Sequence, residues 1–218
     1  MNPPRPITES FFQRDAQTVA QALLGAILWH RPANSFWLAA IIIETEAYYR
    51  REKGSHASLG YTEKRKALFM PPGTIYMYYS RGGDSFNISC GDPGDAVLIK
   101  SGYPYPGHPD YEKMIQQMQS RNHLNGRIRP PERLCAGQTL LCKSLGITVA
   151  KWDAKPLDPN RLRITPAEDP PRTILCTPRL GIPPGRDEHL PYRFIHGDYA
   201  KYCTRRPSGA TPIIRSVT

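Results

Sequence analysis

The chain has 218 residues, of which 39% are hydrophobic and 22% charged, enough apolar material for one packed domain and too much for a disordered chain. It carries 29 Lys/Arg against 19 Asp/Glu, a formal net charge of +10, and no apolar run reaches the roughly 18 residues of a membrane span. A helical membrane protein is therefore excluded, and a polyanion, nucleic acid first, is the natural partner for the charge, beside the plainer reading of a solubility charge. Residues 1–109 hold 11 basic against 9 acidic side chains and residues 110–218 hold 18 against 10, so the excess sits in the second half. The 23 prolines are about twice the usual share of ~5%, which predicts many loops and short elements.

In chain order, residues 1–10 read as a flexible arm, with three prolines and no apolar core of a secretory signal. Asp15–Gly25 reads as a helix, with Asp15 as N-cap, Val19, Ala22 and Leu23 on its apolar face and Gly25 as stop. Ala26–Trp29 and Phe36–Tyr49 read as strands, and 50–66 as a charged loop. Thr74–Tyr79, Phe86–Ser89 and Ala96–Lys100 are further strands, with Ser80–Ser85 as a tight loop. Tyr111–Arg121 and Gly137–Leu145 are helices, the second with Gly146 as its C′ residue. Residues 150–172 are Pro-rich and the best candidate for an inserted loop, with Ile164 and Thr165 read as a short strand inside it, Ile174–Thr177 and Pro191–His196 are strands, and 205–218 is a basic tail. Helices do not alternate regularly with strands, which predicts an α+β fold with an antiparallel-leaning sheet.

The five cysteines, Cys90, Cys135, Cys142, Cys176 and Cys203, are odd in number and irregularly spaced, a poor disulfide framework that fits a reduced, intracellular compartment. Cys135 and Cys142 have no further close ligands, and there is neither C-x-x-C nor H-E-x-x-H. Buried free thiols are expected there rather than a metal site.

The segment Ile41–Tyr49 carries the most chemical information. Strict alternation along a strand puts Ile42, Glu44, Glu46 and Tyr48 on one face and Ile41, Ile43, Thr45 and Ala47 on a core face. Carboxylates at the end of an apolar strand cost desolvation unless they are partnered or functional. Tyr76 and Tyr78 share a face of the next strand. If that face meets Glu46 and Tyr48, the result is a carboxylate between aromatic walls, a pocket for a flat, electron-poor ring.

The runs Glu44–Thr45–Glu46–Ala47–Tyr48, His56, Pro72–Gly73–Thr74–Ile75–Tyr76–Met77–Tyr78 and Asn87–Ile88–Ser89 resemble the alkyladenine (3-methyladenine) DNA glycosylases. Arg133–Leu134–Cys135–Ala136–Gly137, Leu141–Cys142–Lys143–Ser144–Leu145–Gly146–Ile147, Arg179–Leu180–Gly181–Ile182 and Pro191–Tyr192–Arg193–Phe194–Ile195 extend the resemblance from about Phe11 to Thr204. It implies one α+β domain over 11–204 around a curved antiparallel sheet, with no metal or organic cofactor. It also implies an enzyme that flips an alkylated or deaminated purine from double-stranded DNA and cuts its N-glycosidic bond. By motif, Glu46 is the base that activates water, Tyr48, His56 and Tyr78 are stacking walls, and Asn87 crowds the exocyclic amine of normal guanine. No obligate protein partner is implied, and the cytoplasm of a prokaryote or the nucleus of a eukaryote is expected.

The sequence departs from the family pattern at two places. Where many members carry an exposed tyrosine wedge, the segment here is Tyr79–Ser80–Arg81–Gly82–Gly83, so Arg81 aligns with the DNA-filling wedge and Tyr79 is the alternative. Lys100 stands where arginine is commoner, keeping the charge but losing the bidentate fork. It is expected beside Glu46 or a phosphate of the flipped nucleotide. No motif makes it a nucleophile, so simple hydrolysis to an abasic site is expected. Two other classes compete: a carbohydrate hydrolase using Glu44 and Glu46 as an acid/base pair, and a non-catalytic module that binds distorted duplex.

Overall fold

The computed structural model describes residues 5–33, 35–80, 82–124 and 126–214. In chain order the helices are α1 (Glu9–Phe12), α2 (Ala16–Ala22), α3 (Tyr111–Arg121), α4 (Gln138–Leu145) and α5 (Val149–Trp152). The strands are β1 (Ile27–His30), β2 (Leu38–Tyr48), β3 (Ile75–Ser80), β4 (Gly83–Ser89), β5 (Ala96–Pro104), β6 (Leu162–Thr165), β7 (Thr173–Thr177), β8 (Arg193–His196) and β9 (Thr211–Ile214). All nine strands join one antiparallel sheet ordered β3-β4-β5-β2-β8-β7-β9, with β1 also paired to β2 and β6 to β1. The result is the α+β class expected, a single compact domain with helices packed on an open sheet.

Local chemistry places the elements. The Asp15 carboxylate caps α2 by accepting from the backbone of Gln17 and Thr18. Tyr49 donates to the same carboxylate at 2.7 Å, tying α2 to the end of β2. The other face of α2 buries Ala16, Val19 and Ala20 in the main core. Gly146 ends α4 in the left-handed conformation, and the Ile147 amide closes the cap on the Cys142 carbonyl at 2.9 Å. Asn122 at the end of α3 donates to the Leu134 carbonyl and to Ser144, a buried link between the two helices. Gly83 lets α4 lie close on β4, because a Cβ there would stand 2.7 Å from the Thr139 Cβ.

β2 is the spine of the sheet. It is 11 residues long and pairs with β1 through Leu38–Ile41, with β5 through Ala40–Tyr48 and with β8 through Glu44–Glu46. Strict alternation fails inside it. The β2–β5 register slips at Ile43 and again at Lys100, leaving each without a partner in that ladder. Such bulges bend a strand and shift which face its side chains take. Consequently Ile42 packs with the main core, whereas Ile43 packs on a separate cluster with Ile195 and Cys203 and Ile41 against it. The expectation that Ile42 lies with Glu44 and that Ile41 and Ile43 lie on the main core face is therefore corrected.

Three stretches read wholly or largely as loop or tail carry structure, with the short strand expected at Ile164 and Thr165 present as part of β6. Residues 50–66 contain 3-10 turns at His56–Leu59 and from Glu63 onward to Phe69. In the stretch 150–172, β6 pairs with β1, and the Ile75 amide donates to Lys155, so the segment is woven into the sheet. In the stretch 205–218, Thr211–Ile214 forms β9 on β7. β4 also begins earlier than expected, at Gly83, so pairing continues to Ser80–Gly83 at the hairpin tip. For β6 and β9 the partner strand lies far away in sequence, and local composition does not reveal it. Cys135 and Cys142 are free thiols buried in the core. Among the described residues no helix is long and apolar enough to cross a membrane.

Candidate active site

The two bulges gather Glu44, Glu46, Lys100 and Ser101 on one side of the β2–β5 pair, away from the main core. Their environments then diverge. Glu44 is fully buried and saturated: it accepts from Arg193 Nε at 2.6 Å, from Ser101 Oγ at 2.5 Å and from the Thr204 amide at 2.9 Å. It ties β2, β5 and β8 to the segment after them, and these close donors occupy its oxygens, which argues against a part in an acid/base pair.

Glu46 is also fully buried, two residues nearer the strand end. Its Oε2 accepts from the Tyr48 hydroxyl at 2.7 Å and its Oε1 from the Leu180 amide at 3.1 Å. Lys100 Nζ approaches the two oxygens at 3.4 and 3.5 Å. Burial, and next the adjacent carboxylate, push the Tyr48 hydroxyl far above its ordinary range, so it keeps its proton and donates.

Above this carboxylate opens a cleft of about 340 Å³, lined by Tyr48, His56, Tyr76, Tyr78, Asn87 and Lys100 among others, a volume suited to one small ring system. His56 and Tyr78 form one wall, their rings 4.6 Å apart at 61°. His56 Nδ1 is 2.9 Å from the Tyr76 hydroxyl. Partial burial, with Arg65 and Arg186 nearby, lowers the His56 pKa, so its ring is neutral at pH 7. Asn87 is 5% exposed and its amide donates to the Tyr76 carbonyl at 3.1 Å, which fixes its position in the floor. Tyr48 lines the same cleft.

Five of the residues singled out from the sequence line the cleft, Tyr48, His56, Tyr78, Asn87 and Lys100, and Glu46 lies behind the lining, bonded to Tyr48 and Lys100. Tyr79 lies apart from them, 70% exposed on the β3–β4 hairpin, and Arg81 lies outside the described residues. Three contributors were missed. The Leu180 amide is a backbone donor that no side-chain motif announces. Arg179 donates from Nη1 to the Ala47 carbonyl at 2.9 Å, with its guanidinium 4.5 Å from the Tyr48 ring centroid. Glu52 pairs with Arg179 at 2.5 Å. Arg179 and Leu180 lay inside a recognised motif, whereas Glu52 sits between Arg51 and Lys53 in a charged run with nothing to distinguish it.

An antiparallel α+β domain with a sealed carboxylate under an aromatic cleft, on a basic chain, defines a protein built to take a flat ring beside a polyanion. The model of the family Methylpurine-DNA glycosylase matches residues 10–200, and the chain belongs to that family. It is accordingly a DNA glycosylase, a hydrolase of the N-glycosidic bond. Proteins named "Putative 3-methyladenine DNA glycosylase" are similar along nearly the whole chain. One from Pseudomonas syringae pv. tomato is 58% identical over 94% of this chain and 92% of its own. One from Pseudomonas aeruginosa is 57% identical over 93% and 85%, and one from Agrobacterium fabrum is 36% identical over 86% and 87%.

Proposed function

We propose that the protein excises alkylated purines, 3-methyladenine and 7-methylguanine first, from double-stranded DNA, with hypoxanthine and ethenoadenine as further candidates. The damaged nucleotide turns out of the helix, at a cost of a few kcal/mol that is least for damaged or mispaired bases. Its purine enters between Tyr48 on one side and His56 and Tyr78 on the other. Glu46 takes a proton from a water whose oxygen attacks C1′ as the bond to the purine nitrogen breaks. The bonding pair leaves with the base, and an abasic sugar remains. An N3- or N7-alkylated purine is cationic and departs as a neutral molecule, so one carboxylate suffices. The same carboxylate stabilises oxocarbenium charge at the sugar.

The observation that carries this reading is the placement of Glu46, held by Tyr48, the Leu180 amide and Lys100 beneath a ring-sized cleft. Asn87, fixed in the floor, is the group that crowds the exocyclic amine of an undamaged guanine. Lys100 is paired with the carboxylate, which favours hydrolysis over attack by the amine. Arg81 aligns with the wedge that enters the helix where the base has left, and Tyr79, exposed on the β3–β4 hairpin, is the alternative side chain for that role.

The test is release of single lesions from duplex oligonucleotides, with hot alkali revealing abasic sites. Wild type is expected to release 3-methyladenine and 7-methylguanine, and Glu46→Gln to bind the duplex without release. Borohydride is expected to trap no enzyme–DNA adduct. Tight binding with no release of any lesion by wild type would leave a recognition module instead of an enzyme.

A further inference from the structure

Two buried ion pairs flank the aromatic wall that Tyr48 forms. In front, Lys100 pairs with Glu46. Arg179 is 4% exposed and absent from the cleft lining, yet its guanidinium stands 4.5 Å from the Tyr48 ring centroid. The cation therefore lies behind the ring that faces the substrate. Glu52, itself 4% exposed, reaches this cation at 2.5 Å. Arg51 and Asp187 act on Glu52 with opposite signs. With both pairs intact, the two pairs flanking the ring add no net charge to it.

This balance matters for a cationic base. A ring attracts a cation through the negative potential of its face, and a cation already stacked behind it weakens that attraction. A positive purine stacked on Tyr48 would lie roughly 8 Å from the Arg179 guanidinium once a van der Waals separation is added. Two unlike-partnered charges at that distance in a partly desolvated site repel by enough to change an equilibrium about tenfold or more. We infer that Glu52 is a specificity-determining residue: by neutralising Arg179 behind Tyr48, it lets the cleft accept positively charged purines. This rests on the excision of alkylated purines proposed above. Glu52 touches neither the base nor the sugar; it acts through Arg179 and the Tyr48 ring.

The test compares a cationic lesion, 7-methylguanine, with a neutral one, ethenoadenine, in otherwise identical duplexes. Single-turnover release is measured for each, with equilibrium binding as the readout for any duplex that is not cut. Glu52→Gln leaves Arg179 uncompensated and is expected to lower the cationic-to-neutral preference about tenfold. The double variant Glu52→Gln/Arg179→Met removes both charges and is expected to bring the preference back to within about threefold of wild type, even where its absolute rates are lower. Glu52→Asp is expected to keep the wild-type preference. Equal losses on both lesions, or a double variant no closer to wild type than Glu52→Gln, would overturn the inference and leave Glu52 a purely structural partner. A wild type that neither releases nor prefers any lesion would overturn the excision reading and this inference with it.

Discussion

Glu44 and Glu46 lie two residues apart on β2, and neither carboxylate reaches solvent, yet their surroundings differ. Glu44 meets three close, fixed donors from three other segments, at 2.5 to 2.9 Å. Glu46 has one short bond, from Tyr48, a longer one from the Leu180 amide, and a lysine at 3.4 Å. It also lies beneath an open cleft. Burial alone does not separate an acid that holds a fold together from one that can meet a substrate. The number, length and rigidity of its donors do.

Exchanging the two acids for amides tests the contrast most strongly. Glu46→Gln is expected to cut base release by about 10²–10⁴-fold, the scale of a lost general base, and, because the Lys100 it leaves unpaired lines the open cleft, to cost less stability than Glu44→Gln. Glu44→Gln leaves Arg193 buried without its counter-charge and is expected to cost about 3–5 kcal/mol of stability, while the molecules that remain folded keep their release rate. Urea unfolding and single-turnover release, measured on both variants, read the two effects separately. Loss of release in Glu44→Gln without loss of stability would break the contrast.

A third buried group separates stability from chemistry altogether. His30 on β1 is 1% exposed, its Nδ1 2.7 Å from the Leu145 carbonyl and its Nε2 accepting from the Trp152 indole at 3.1 Å. Burial lowers its pKa from 6.5 to about 4, so the folded state favours the neutral ring. Its stabilisation is complete above pH 6.5 and is lost as the pH falls toward 4. At about 1.4 kcal/mol per unit, the loss is roughly 3 kcal/mol. Unfolding free energies between pH 7 and 4 should show that decline, and His30→Asn, already less stable at pH 7, should flatten it.

The smallest effect belongs to the exposed hairpin. Tyr79→Ser is expected to weaken binding to lesion duplex by a few fold, on the scale of the 1–3 kcal/mol for one base–aromatic stack or less, with no change in stability. The logarithm of the binding constant is expected to fall with log salt at about −0.9 per phosphate neutralised. A flat salt dependence would count against the basic surface as a DNA contact.

Much of this was legible beforehand because it was local or ordered. The Asp15 cap, the Tyr111–Arg121 helix and the Gly146 stop follow from side-chain and backbone preferences within a few residues. The site residues Glu46, Tyr48, His56, Tyr78 and Asn87 stood out through the order of several motifs. The β6 strand was legible only at Ile164 and Thr165 and β9 not at all, because β6 is held by β1 and β9 by β7, partners 35 or more residues away, and edge strands of four residues carry little intrinsic signal. Glu52 did not stand out either, lying in a run of basic neighbours.

The amino-acid order by itself determined the class of fold, most of the short elements and which side chains meet at and behind the cleft, since periodicity, caps and motif order act along the chain. Only the tertiary structure decided which of two neighbouring glutamates is spent on the fold. The bulges at Ile43 and Lys100 changed the faces that strict alternation assigns. The Leu180 amide and the Arg179–Glu52 pair reached Glu46 and Tyr48 from sequence positions up to 134 residues away. Such contacts depend on how distant segments close on one another, and local pattern does not encode that distance.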